Sequence, residues 1–178
     1  MSRARARGRA GAAVDGSSAA PLVPGSLEAL EGLRWPEPAS DATRLTIAAH
    51  ALRRRPVPDL GVEELRLLIG QAVGLPHLLP RAVDLLCRDP LVEGDLHPGD
   101  LLSAVLRCDP AVWDTRPDLA GRLAVVLRES VRTAGEEPGG AAGTAGVPRE
   151  VWERVGVFLG GRPEEGWAGL VGGSGKGL

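Results

Sequence analysis

The chain has 178 residues, enough for one domain with a substantial core and too few for two of ordinary size. Hydrophobic residues at 43% and charged residues at 25% give the balance of a soluble globular protein. A net charge of −2 supplies no basic field for nucleic acid or an anionic membrane, and 3% aromatics without a single Tyr provide no stacking platform for single strands.

Residues 1–24, rich in Arg, Ala, Gly and Ser without periodicity, read as a disordered tail. Arg3, Arg5, Arg7 and Arg9 are not followed by a long apolar stretch, so no secretory signal is predicted. No apolar run reaches the ~18–20 residues of a membrane span. The expected compartment is the cytoplasm, and Cys87 and Cys108, each in an apolar setting, read as reduced core thiols.

A helical domain is expected over 25–132. Ser26 caps a short helix through Leu30 that Gly32 closes, and Trp35-Pro36-Glu37-Pro38 continues as an extended arm with Trp35 plugged into the core. Asp41 is placed as the cap of the next helix, carried by Leu45, Ile47, Ala48, Ala51 and Leu52. Arg53-Arg54-Arg55 at its end then complement the helix dipole.

Leu65, Leu68, Ile69 and Ala72 recur at i, i+3, i+4 and i+7, with Glu63 and Glu64 in the first turn. A further helix runs through Leu78, Leu79, Ala82, Val83, Leu85 and Leu86 and stops at Asp89-Pro90. Pro98 is placed in the first turn of the next, carried by Leu101, Leu102, Val105 and Leu106. Asp109-Pro110 opens a short turn bearing Trp113, and Pro117 opens a long helix with the stripe Leu119, Leu123, Val126, Leu127 and Val131. Residues 133–147 read as a linker, 148–160 as one more helix that docks or hangs free, and 161–178 as a disordered tail. No segment alternates with period two over a strand length, so the predicted class is all-α, a compact multi-helix domain.

The loop Glu93-Gly94-Asp95-Leu96-His97-Pro98-Gly99-Asp100 is the one constellation that invites chemistry. Asp95, His97 and Asp100 offer a carboxylate and imidazole set for a metal-assisted hydrolase. Against it, Asp100 falls near the third helical position, where it serves free amides, and Asp95 suits an Asx turn. His50 and His77 stand in other contexts, and Gly172-Gly173-Ser174-Gly175-Lys176 lacks the following helix a phosphate cradle requires. No catalytic, metal or cofactor site is assigned, and the chain is read as a binder without enzymatic activity.

Three segments in one order carry a family likeness: Glu63-Glu64-Leu65-Arg66-Leu67-Leu68-Ile69-Gly70-Gln71, Gly74-Leu75-Pro76-His77-Leu78-Leu79-Pro80, and Asp89-Pro90-Leu91-Val92-Glu93-Gly94-Asp95-Leu96-His97-Pro98-Gly99-Asp100-Leu101-Leu102. With Ser26–Gly32, Trp35 and Leu52–Val57 upstream, they resemble the immunity proteins of contact-dependent growth inhibition systems over roughly residues 26–131. The resemblance implies a helical cytoplasmic protein that binds and blocks a partner toxin, by stoichiometric non-covalent inhibition. A helical adaptor or scaffold for another protein is the alternative.

Many toxins that act on nucleic acid are basic, so an acidic face is the expected contact. The densest acidic group is Glu93, Asp95 and Asp100, with Asp84 and Asp89 before them and His97 among them. The competing reading is that Glu93-Gly94-Asp95 and Pro98-Gly99-Asp100 only shape a turn between two helices.

Overall fold

In the computed structural model, residues 22–136 and 146–160 are described, and among them eight α-helices form with no strand. The sequence explains where the first ones start and stop. In α1 (Leu27–Glu31) the Ser26 hydroxyl accepts the Ala29 amide at 3.3 Å, and Gly32 ends the helix in the left-handed region at φ 62°. The prolines of the following arm bar its return to helix. The next helix, α2 (Arg44–Arg53), is capped by Thr43 rather than Asp41. Thr43 has the extended backbone a cap needs, and its hydroxyl accepts the Thr46 amide at 3.2 Å.

After a 3₁₀ turn at Val57–Asp59 comes α3 (Val62–Gly70), whose Glu64 carboxylate accepts the Gly61 amide at 2.8 Å. Then follow α4 (Leu75–Leu86), α5 (Asp100–Leu106) and α6 (Pro110–Asp114). The last two are α7 (Pro117–Glu136) and α8 (Arg149–Phe158). The α7 helix continues four residues into the stretch read as a linker. The tail at 161–178, most of that linker and the tail before Leu22 lie outside the described residues.

The core is one cluster. The α4 helix buries Leu78, Leu79, Ala82, Val83 and Leu86, and α3 buries Leu65, Leu68 and Ile69. Spacings of three, four and seven put each set on one helical face. Each such leucine contributes roughly 1.5–3 kcal/mol by leaving water. The α3 helix packs chiefly on α5, and α7 covers α4 through Leu119, Leu123, Leu127 and Val131. The α8 helix docks on α5 by burying Val151, Trp152 and Val155, and Phe158 meets the edge of Trp113 with ring centroids 5.2 Å apart. Ala72 takes no part in the α3 face: it follows the helix, exposed, with φ 54°.

Two further expectations for the N-terminal third do not hold, and a third is incomplete. Ile47 is half exposed because it lies opposite Ala49, Leu52 and Arg53, the buried face of α2, and Leu45, though on that face, is 42% exposed in the helix's first turn. Trp35 stays half-buried against α2, with Arg53 over its ring at 4.1 Å and His50 at its edge. Arg53 is 1% exposed: it pairs with Glu31 at 2.7 Å and donates to the Leu33 carbonyl at 3.1 Å. Arg54 reaches Glu28 and Glu37, and Arg55 pairs with Glu64. The arginine run therefore ties α1, the arm and α3 to the end of α2, a larger role than serving the helix dipole.

Candidate partner-binding surface

The acidic loop lies between α4 and α5. Its far end is set by Gly99, at φ 76°, whose amide donates to the Leu91 carbonyl at 2.9 Å. That left-handed turn makes Asp100 the first residue of α5 rather than the third, and leaves Pro98 outside the helix. The shift turns the Asp100 carboxylate inward, to 3% exposure, where it accepts the Gly94 amide at 2.8 Å and the Leu96 amide at 3.1 Å. Asp100 is therefore buried and bonded to the loop's own backbone, as part of the loop's foundation.

The foundation has a second half that sequence reasoning missed. Glu63, in the first turn of α3, accepts the Asp95 amide at 3.2 Å. Arg66, one turn on, donates to both Glu63 oxygens at 2.6 and 2.5 Å and stands 3.8 Å from Asp100. Through these bonds, first that of Arg66 and then the Asp95 amide, the Glu63 carboxyl is held below its ordinary pKa against the opposing effect of burial. The pKa of the Arg66 guanidinium rises correspondingly, mainly through Glu63. The i, i+3 spacing of Glu63 and Arg66 was visible in the sequence, but nothing there related the pair to a loop thirty residues away.

Above this foundation Glu93 and Asp95 are exposed, and Leu96 between the loop's polar residues is 63% exposed. Nothing in the sequence singles out Leu96, because an apolar residue in a turn carries no signal of its own. His97 is half-buried, its Nδ1 2.9 Å from the Pro98 carbonyl oxygen. The remaining two acids are engaged elsewhere. Asp84 pairs with Arg122 of α7 at 2.6 Å, and Asp89 accepts the Leu91 amide at 3.0 Å in an Asx turn of the kind expected at Asp95.

Asp95, His97 and Asp100 do not converge, and among the described residues no group of three His, Cys, Asp or Glu side chains could hold a metal ion. Cys87 and Cys108 are free thiols, half-buried at the margin of the core rather than within it, and burial pushes the Cys108 thiol pKa up. At the other end of α3 an open, mostly apolar groove of about 500 Å³ runs between the α3–α4 turn and α6, lined in part by Leu75, Leu79 and Val112. Among the described residues no helix is long and apolar enough to cross a membrane.

Comparison with curated proteins and with solved structures finds no match for this chain. A family model does match, across α1 to the middle of α7 and including the whole acidic loop. That model describes CDI immunity proteins and matches residues 29–123, more than half of the sequence, so the chain belongs to this family.

Proposed function

We propose that this protein neutralises its toxin by stoichiometric, non-covalent binding in the cytoplasm, through the surface formed by Glu93, Asp95 and Leu96. Membership of the CDI immunity proteins implies neutralisation of a cognate toxin domain by a non-enzymatic inhibitor. The observation that supports the site is the loop itself. Its backbone amides are spent on Glu63 and Asp100, which leaves the two acidic side chains and Leu96 facing solvent. Glu93 and Asp95 are both exposed, and Asp95 lies within the electrostatic influence of Arg66. An apolar side chain beside exposed carboxylates suits a basic toxin surface: the charges steer encounter and the desolvated leucine slows departure.

The test is to co-express the toxin domain encoded by the adjoining reading frame with wild-type protein, with E93K/D95K and with L96S. Wild-type protein should restore growth. The double reversal should weaken binding at least tenfold and flatten its salt dependence, while L96S should act mainly on the dissociation rate. Unchanged affinity in both variants would move the contact off this loop, with the groove beside α6 the next surface to probe.

A further inference from the structure

We propose that Glu63, Arg66 and Asp100 are positioning residues for toxin binding, and that Gly94 is glycine because the Glu63 and Asp100 carboxylates occupy the space its side chain would take. The proposal rests on the reading of the loop as the toxin-facing surface. Three consecutive amides, of Gly94, Asp95 and Leu96, point to one side of the loop and donate to Asp100, Glu63 and Asp100 in turn. Successive amides turned the same way form a concavity that ordinarily attracts an anion from outside. Here the protein fills it with its own carboxylates, one from the start of α3 and one from the start of α5. Arg66 bridges the two carboxylates and offsets their mutual repulsion.

The fit at Gly94 is close. A Cβ there would lie 2.8 Å from Glu63 Oε2 and 2.9 Å from Asp100 Oδ2. Gly94 does not have a left-handed backbone, so the demand for glycine comes from space alone. Alanine would fit the local conformation and still force both carboxylates away from the amides they bind. With its amides released, the loop must be ordered when the toxin binds, and the cost of ordering is subtracted from affinity.

The experiment uses the full chain as wild type, G94A, D100N, the G94A/D100N pair, E93K/D95K and L96S. Amide hydrogen exchange is measured on the free protein. Binding kinetics are measured against a catalytically dead form of the toxin domain encoded by the adjoining reading frame. In wild type the amides of Gly94, Asp95 and Leu96 should be protected. G94A should speed exchange of the neighbouring amides at least tenfold while core amides in α3 and α4 keep their rates.

G94A leaves the charge intact, so association and its salt dependence should stay within about twofold as dissociation rises tenfold or more. The two cradle substitutions should be non-additive, the pair dissociating little faster than the worse single variant, because each breaks the same contacts. Loop amides that exchange freely in wild type, or a G94A dissociation rate equal to wild type when E93K/D95K or L96S does weaken binding, would overturn the positioning role alone. Binding untouched by E93K/D95K and by L96S alike would remove the interface and the positioning role together.

Discussion

Replacing Arg53 with alanine tests whether one buried cation holds the N-terminal third to the helical core. Arg53 is 1% exposed and has three kinds of partner: Glu31 at 2.7 Å, the Leu33 carbonyl at 3.1 Å and the Trp35 ring at 4.1 Å. A hydrogen bond to a charged group contributes about 1.5–3 kcal/mol, and a desolvated cation–π contact about 1–2 kcal/mol. Two features reduce the sum. The Glu31 side chain is 24% exposed, so water can take over part of its solvation, and Arg53 Nε is buried without a hydrogen-bond partner. An unsatisfied buried donor already costs about 1–3 kcal/mol. R53A is therefore expected to lose about 3 kcal/mol, the lower end for breaking a buried pair, and to melt roughly 10 °C lower. R55A is the control, since Arg55 and Glu64 form a surface pair worth under about 1 kcal/mol. Urea unfolding followed by far-ultraviolet circular dichroism gives both values with their m-values. If R53A is no less stable than R55A, the arm and α1 contribute little to the cooperative unit, and the reasoning fails.

Gly74 sits at φ 64°, and a Cβ there would lie 2.6 and 2.7 Å from the methyl carbons of fully buried Leu27. G74A should therefore combine left-handed strain with overpacking, a loss of about 2–4 kcal/mol by thermal unfolding. G121A, where a Cβ meets nothing within 4 Å in the middle of α7, should instead stabilise by up to about 1 kcal/mol. The Glu63 carboxyl titrates below its ordinary value in the folded protein, chiefly because Arg66 donates to it. Its stabilisation is thus complete above the unfolded carboxyl pKa and is lost as pH falls through the lower folded value. The stability gap between wild type and E63Q should be constant from pH 7 to about pH 5.5 and close below about pH 4.5. A gap independent of pH would show that Glu63 acts by shape and not by charge.

The helices that dominate the core were the most legible in the sequence, because α3, α4 and α7 each repeat leucine and valine at helical spacing over two turns or more. Ser26 and Gly32 were legible for a similar reason, since capping is decided within four residues. The face of α2 was not. Ile47 lies opposite Leu45 and Leu52, and the buried face extends to Arg53 because that side chain meets Glu31 and Trp35, residues 22 and 18 positions away. Asp100 serves free amides as its position suggests, but in another register: with Gly99 left-handed, α5 starts two residues later, at Asp100, and the carboxylate accepts the Gly94 and Leu96 amides of the loop. Glu63 and Arg66 read as an ordinary surface pair, and only tertiary packing of α3 on α5 brings them under the loop.

This redistribution changes what the acidic group can do. Counting Asp84, Asp89, Glu93, Asp95 and Asp100 together suggests a strong negative field. However, Asp84 is neutralised by Arg122, Asp100 stands near Arg66 inside the fold, and Asp89 is bonded to its own turn. Two exposed carboxylates remain, and at physiological salt their reach is about 8 Å. Such a pair can bias the orientation of an approaching basic toxin, but tight inhibition needs contacts that exclude water. Leu96, at 63% exposure on a braced backbone, is the element of this surface able to make one. Discrimination between toxins is then expected to depend on whether the partner presents an apolar depression at the spacing of Leu96 from its flanking acids, more than on the partner's net charge.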